Sequence, residues 1–225
     1  MDPTVFITQI LMPALWQGLI LTLELVILTA PFGLLLGIGI ALGRQYGGRG
    51  LSAACAGYIV FFKGCPLLLL LFMLYFGLPT IGIILPAFTA SVIGFILCNA
   101  AYNSEYIRGA IKSIKDGQMT AAQALGMTKV QAIETIILPQ ALRRAIPGLS
   151  NEFIYLIKYS SLAYMITVVE LSGAGKLVAT KYFMYNESFL AVGIVYLALV
   201  TLTTYGVHLI EKRFAIPGMV QKSGG

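Results

Sequence analysis

Polar side chains recur on one face of the third apolar segment of this sequence. Tyr102 and Asn103 lie three and four residues after Asn99, so a helix places all three on the same side. Burying such groups in hydrocarbon is costly, and they mark functional sites by default. Amide and hydroxyl groups supply donors for a carboxylate and acceptors for an ammonium group. The chemistry they favour is reversible binding of a polar solute inside a membrane.

A second polar face lies on the fourth apolar segment at the same helical spacing. Its members are Asn151, Tyr155, Lys158 and Tyr159, followed by Ser160 and Ser161, which a helix break would bring to the solute together with free backbone groups. Glu105 lies off the first face and three residues before Arg108, a spacing that favours an ion pair. It completes the set of candidate substrate-pathway residues. Hydrogen bonds between packed helices account for the same residues equally well.

A polar stretch at 108–139 separates these two segments. Apolar residues recur in it at three- and four-residue spacing, which predicts an apolar stripe on short helices. The stripe consists of Ala121, Ala122, Leu125, Met127, Val130, Ile133 and Ile137. Gly126 is expected to divide two helical pieces, and Pro139 to start the return to the membrane. One small loop cannot bury this stripe, which favours docking in a partner's groove; an ordinary solvated loop is the alternative.

Nothing in the chain is suited to covalent or phosphate chemistry. The segment Gly173–Lys176 reads GAGK, but a phosphate-binding loop needs a glycine at 170 and a Ser or Thr at 177, where Glu170 and Leu177 stand. The three cysteines, at positions 55, 65 and 98, have no histidine or CxxC partner and are expected to be packing residues. We therefore predict no catalytic residue, no metal site and no cofactor in this chain.

The composition is that of an integral membrane protein. Hydrophobic residues make up 58% of the 225 residues and charged residues 11%, against roughly 25% charge in soluble domains. The mean hydropathy is +0.88. The net charge of +6 is expected to mark cytoplasmic loops rather than a nucleic-acid partner.

Hydropathy predicts an all-α polytopic fold with five membrane spans. They run from about Ala14 to Leu42, Ala53 to Leu78 with a break at FFKGCP, Ala87 to Tyr106, Leu142 to Met165 with an interruption at Pro147, and Phe189 to Ile210. Lysine and arginine concentrate after the first span, in the 108–139 stretch and in the tail. The positive-inside bias places the N-terminus outside and the C-terminus in the cytoplasm.

Five ordered blocks carry a family resemblance over nearly the whole chain. They are QGLILTLELVILTAPFGLLLGIGIALGR (17–44), YIVFFKGCPLLLLLFMLYFGLP (58–79), NAAYNSEYIRGAIKSIKDGQ (99–118), TAAQALGMTKVQAIETIILP (120–139) and LPQALRRAIPGLSNEFIYLIKYSSL (138–162). They resemble the permease subunits of ABC importers for polar amino acids, of the histidine, glutamine and arginine type. The 120–139 block is similar to the "EAA" loop of those permeases.

The resemblance implies one transmembrane permease domain, 1–225, with a cytoplasmic coupling loop at 108–139. Its ATPase-coupling residues would be Thr120, Ala121, Ala122, Leu125, Gly126, Met127, Val130 and Pro139. It also implies two copies of an ATPase subunit that bind ATP and Mg, a second identical or homologous permease chain, and an extracytoplasmic solute-binding protein. The lipid bilayer would be the cytoplasmic membrane of a bacterium or archaeon.

The sequence departs from the family pattern at three kinds of position. Thr120 replaces the glutamate that opens the loop motif, and Lys63 and Cys65 replace the Arg and Thr of an R-G-T-P motif. Tyr159 stands where a polar or acidic residue often follows the lysine at 158. Two other functions remain open at this point. One is a permease for another small solute such as methionine, and the other is an ion-coupled carrier or channel without an ATPase.

Overall fold

The computed structural model describes residues 2–214, which are helical almost throughout and contain no strand. A single turn, Pro3–Val5, leads into the first helix. The helices are α1 (Phe6–Tyr46), α2 (Arg49–Gly64), α3 (Leu67–Ile81), α4 (Ala87–Lys112), α5 (Gly117–Ala124), α6 (Lys129–Ile166), α7 (Leu171–Tyr182) and α8 (Tyr185–Phe214). The predicted all-α fold class is confirmed.

Two of the described helices, α1 and α8, are long and apolar enough to cross a bilayer by themselves. Two bent pairs, α2 with α3 and α6 with α7, meet the same criteria when each pair is counted as one span. Helix α4 has 26 residues, or about 39 Å at 1.5 Å per residue, which exceeds a hydrocarbon core of about 30 Å. Its C-terminal half is polar and it does not meet the apolarity criteria of the other candidate spans, so the predicted count of five spans depends on it.

The second predicted span is broken where the sequence indicated, and the break is sharp. Helix α2 ends at Gly64 and α3 starts at Leu67, with 101° between them. Cys65 and Pro66 adopt extended backbone angles, because a proline disfavours the helical conformation of the residue before it. The predicted segment also begins earlier than expected, at Arg49.

The fourth predicted span differs more from expectation. Helix α6 starts at Lys129 and runs past Pro147 to Ile166, so Pro147 does not interrupt it. Pro139 lies in the first turn of its regular α-helical part, Leu138–Tyr159. A π-helical turn at Ile133–Ile137 precedes Pro139, and such wide turns absorb local irregularity inside a helix. The chain leaves the helix only at Thr167, which has a left-handed backbone with φ of 76°.

Helices α1 and α4 pack closely because two glycines of α1 face α4. A Cβ atom at Gly33 would collide with the side chain of Asn99, and one at Gly37 would lie 2.8 Å from the Cβ of Asn103. This close approach resembles the small-residue packing of membrane helices. It places two asparagines of α4 in the middle of the helix bundle.

Candidate functional site

Four polar side chains of α4 and α6 form one hydrogen-bonded cluster, in which three are buried and Tyr159 is half-buried. Asn99 donates from Nδ2 to Oε1 of Glu152 at 3.3 Å and to the hydroxyl of Tyr159 at 3.4 Å. The Tyr159 hydroxyl donates to the same Glu152 oxygen at 3.3 Å. Asn103 donates from Nδ2 to Oδ1 of Asn99 at 2.7 Å. We call these four residues the amide–carboxylate cluster.

The sequence pattern found three members of this cluster and missed Glu152. It favoured the neighbouring Asn151, which the structure places on the exposed side of α6. Glu152 is buried, with 4% of its surface exposed. The signal that would have found it is its seven-residue separation from Tyr159, which puts both on one side of a helix. An acid inside an apolar bundle is itself a functional indication.

A cavity of about 200 Å³ adjoins the cluster. Asn99 and Asn103 form its polar end. Its remaining walls are apolar and consist of Ala30, Pro31 and Leu34 of α1 and Leu149 and Phe153 of α6. A small apolar chamber with convergent polar groups at one end is the usual form of a site for a small molecule.

Several candidate residues lie on the open side of the same two helices. Tyr102 of α4 is half-buried, and Lys63 at the α2–α3 break holds its Nζ 5.2 Å from the Tyr102 ring centroid. On α6, the Lys158 Nζ lies 4.2 Å from the ring centroid of Tyr155, and both side chains are exposed. Two cations are therefore held against tyrosine rings at the level of the cluster, where cation–π contacts stabilise them.

Three other candidates form hydrogen bonds with neighbouring groups of the protein. Glu105 receives hydrogen bonds from Arg108 at 2.7 and 2.8 Å and from Arg44 of α1 at 3.0 Å, so the predicted pair with Arg108 is present and α1 joins it. Ser160 donates to the carbonyl of residue 157 at 2.7 Å, and Ser161 to that of residue 158 at 2.8 Å. The α-helix ends at Tyr159 and a 3₁₀ helix, Ser160–Ile166, follows it. The helix type therefore changes directly before these serines, and their contact with a solute stays a prediction.

The stretch after α4 folds as a helical hairpin, made of α5 and the first turns of α6. Gly126 has a positive φ of 85° and ends α5. The amide of Met127 donates to the carbonyl of Ala122 at 3.1 Å, and that of Gly126 to Gln123 at 2.9 Å, which is the Schellman arrangement of a helix end. Thr128 then caps α6. The predicted division at Gly126 is confirmed.

The predicted apolar stripe of this hairpin is divided between two sides. Ala122, Ile133 and Ile137 are buried within the protein, so the expectation that the whole stripe lies uncovered is wrong. Of these three, Ile137 packs against the end of α4, around Ile111 and Ile114. Leu125 and Val130 point outward, with 84% and 61% of their surfaces exposed. These two are the exposed large apolar side chains of the hairpin.

A second buried acid, Glu170, joins α7 to α8. Its carboxylate accepts hydrogen bonds from the amides of Ser172 and Gly173 at the start of α7 and from the Tyr196 hydroxyl of α8, each at 2.9 Å. The hydroxyl of Thr22 on α1 accepts a hydrogen bond from the backbone amide of Leu171 at 3.1 Å. Glu170 is therefore the N-cap of α7, and the GAGK segment belongs to a helix.

A family model described as "Binding-protein-dependent transport system inner membrane component" matches residues 33–216. The chain is 40% identical over 208 residues to the probable amino-acid permease protein YxeN of Bacillus subtilis (strain 168), covering 91% of this chain and 93% of that protein. It is 36% identical over 208 residues to the L-cystine transport system permease protein TcyL of the same organism, covering 89% and 87%.

A solved structure shares both the fold and a substantial part of the sequence. It is described as the crystal structure of an amino acid ABC transporter with histidines, and it superimposes with a TM-score of 0.85 at 31% identity. The match covers 95% of this chain and 99% of that one. The resemblance detected in the sequence blocks is thereby confirmed.

Proposed function

The chain belongs to the family of binding-protein-dependent transport system inner membrane components, and from this premise we propose that it forms the translocation pathway for a polar amino acid. It is a multi-pass membrane protein and a permease subunit of the ABC importer type. The observation that carries the substrate class is the amide–carboxylate cluster beside its cavity. The names of the relatives, which include an amino-acid permease and an L-cystine permease, support the same class.

An α-amino acid presents an ammonium group and a carboxylate to its binding site. Glu152 supplies a buried negative charge for the ammonium, and the amides of Asn99 and Asn103 supply further polar contacts at the cavity end. An unpaired carboxylate in an apolar bundle is costly. A cationic group of the solute would offset that cost when it binds, which favours an amino acid over an uncharged solute.

The energy for transport would come from a partner. We propose two ATPase subunits that bind ATP and Mg, a second permease chain, and an external binding protein that delivers the amino acid. The N-terminus would lie outside and the C-terminus in the cytoplasm, since basic residues cluster after α1 and around the hairpin. Leu125 and Val130 are the apolar contacts available to an ATPase groove.

Helix α6 connects the two proposed sites mechanically. It begins at Lys129, one residue before Val130, and continues through Glu152 and Tyr159 to Ile166. At 1.5 Å per residue this single helix is roughly 55 Å long. When ATP closes the ATPase dimer and moves the hairpin, α6 moves with it and shifts Glu152 relative to Asn99 on α4. That movement would open the amide–carboxylate cluster alternately to the two sides of the membrane.

Reconstitution in liposomes tests this function. The chain is assembled with the ATPase and binding protein encoded beside it, and ATP hydrolysis and uptake are measured across a panel of amino acids. Hydrolysis and uptake that rise together with one or a few amino acids support the proposal. Uptake that needs no ATPase, with no ATPase bound to the chain, would instead identify a carrier or channel.

A further inference from the structure

The polar faces of α4 and α6 continue beyond the amide–carboxylate cluster toward the hairpin. On α4, Tyr102 is followed on the same side by Tyr106, Gly109 and Ser113 at spacings of four, three and four residues. On α6, the matching side runs from Tyr155 back through Asn151, Gly148 and Arg144 at the same spacings. Gly148 allows the Tyr106 ring to lie directly against α6. A continuous seam therefore leads from the cluster to the inner end of both helices.

The seam ends in a second cavity, of about 280 Å³, lined by residues that include Tyr106, Gly109, Ser113 and Arg144. From Asn99 to Ser113 along α4 is about 21 Å at 1.5 Å per residue. The second cavity is thus distinct from the one beside the amide–carboxylate cluster. We call it the inner pocket.

Arg144 is the charged group of the inner pocket. Its Nη1 donates to the backbone carbonyl of Ser113 at 2.6 Å and lies 2.9 Å from the Ser113 hydroxyl. Its Nε is buried and has no hydrogen-bond partner among residues 2–214. A buried donor without an acceptor costs free energy that a suitable ligand would recover. One side of the guanidinium is thus fixed by α4, and Nη2, which makes no hydrogen bond among residues 2–214 and is not enclosed, is the donor that remains available to a ligand.

We propose that the inner pocket is an exit station, in which Arg144 binds the carboxylate of the transported amino acid before its release into the cytoplasm. This inference rests on the proposed function and adds a second position to the pathway. A guanidinium held in a fixed orientation presents donors that match the planar geometry of a carboxylate. Glu152 would hold the ammonium end at the first position, and Arg144 would receive the opposite end at the second.

A merely structural role for Arg144 is the competing explanation, because its bond to Ser113 joins α6 to α4. The two roles predict different effects of replacing Arg144. A structural bridge affects assembly and thermal stability, whereas an exit station affects the access of reagents to the pocket when substrate is present. Arg143 is a matched control, since it is an exposed arginine next in sequence on another side of α6.

Cysteine labelling in the assembled complex tests the inner pocket directly. A Cβ added at Gly109 meets no heavy atom within 4 Å, so Gly109→Cys places a thiol in the pocket without a clash. The background carries Cys65→Ser, since the other two cysteines are buried. A membrane-impermeant thiol reagent is applied from the ATPase side with millimolar glutamine, histidine or arginine, with the corresponding amino-acid amides, or with inorganic phosphate.

The exit station requires that an amino acid slows labelling and that its amide, which lacks the carboxylate, does not. Arg144→Gln should abolish this protection, and Arg143→Gln should keep it. Absence of protection by every amino acid, or equal protection by phosphate, would overturn the inference and leave at most a general anion site. Protection that survives in Arg144→Gln would overturn the role of Arg144.

Uptake measurements separate this inference from the proposed function. In proteoliposomes, Arg144→Gln should lower the turnover of uptake by about tenfold, the factor expected for one lost charged hydrogen bond. Arg144→Lys should keep part of the rate, and Arg143→Gln should match the unmodified chain. If the unmodified chain takes up amino acids and Arg144→Gln does so equally fast, the exit station fails and the function stands. If the unmodified chain takes up none, the function itself fails.

Discussion

Asn99 of α4 donates its side-chain amide to the Glu152 carboxylate of α6 at 3.3 Å, across 53 residues of sequence. The contact joins the two helices whose polar faces form the seam, at the level where α1 packs most closely. Because α6 also forms part of the hairpin, any rotation or shift of that helix changes this contact. The pair is therefore the place where movement of the hairpin would alter the proposed substrate site.

Glu152→Gln should reduce transport without unfolding the protein. Glutamine keeps an oxygen that accepts from Asn99 and Tyr159, and it removes a buried charge whose desolvation is costly. We expect the thermal stability to stay the same or rise, while uptake falls by tenfold or more because the ammonium group loses its counter-charge. The exposed Glu187→Gln on α8 is the control. Uptake equal to that control would remove Glu152 from the pathway.

Gly33→Ala should destabilise the bundle. The added methyl group would collide with Asn99, and overpacking of this kind typically costs 1–3 kcal/mol, here about 2 kcal/mol. Gly39→Ala on the same helix meets no atom within 4 Å and should leave stability unchanged or raise it, since alanine favours the helix over glycine. Thermal unfolding in detergent measures both. A loss of stability in the two variants alike would show that α1 tolerates no alanine in general.

Glu105→Gln should lower stability and leave substrate preference unchanged. Glu105 pairs with both Arg108 and Arg44, so its neutralisation leaves two cations side by side, at an expected cost of ~1–2 kcal/mol. The exposed Glu134→Gln is the control. Competition between amino acids in an uptake assay measures preference. A changed ranking of substrates would return Glu105 to the substrate pathway.

The sequence predicted much of the amide–carboxylate cluster because helical spacing is a local property. Asn99 and Asn103 recur at four residues, and Tyr159 follows on the next polar helix. Glu152 was missed because the pattern followed the adjacent face of Asn151, Tyr155 and Lys158, and because its partner Asn99 comes from another helix. The break at Pro66 was predicted from the residue itself, but the angle of 101° depends on the tertiary packing of the helices on either side.

In the hairpin, too, the sequence predicted the local features but not the tertiary contacts. Periodicity revealed an apolar stripe and the chain break at Gly126, since both depend on neighbouring residues. It did not show that Ile137 is covered by the end of α4 while Leu125 and Val130 remain outside. Which part of a stripe the protein itself buries depends on where a distant helix ends. Helix α4 extends six residues past Tyr106, to Lys112, and so provides that cover.

Leu125→Asp should weaken binding of the ATPase and leave the membrane helices intact. Leu125 is the most exposed apolar side chain of the hairpin, so a carboxylate there removes no internal contact and faces solvent in the isolated chain. In a partner's apolar groove the same carboxylate would lose its hydration without a counter-charge, which costs several kcal/mol. Gly50→Asp, at the exposed first turn of α2, adds an equal charge away from the hairpin and serves as the control.

Co-purification of the ATPase with each variant measures the effect. Full recovery of the ATPase with Leu125→Asp would place the docking surface elsewhere on the chain, since an interface centred on this residue cannot accept a buried and unpaired charge.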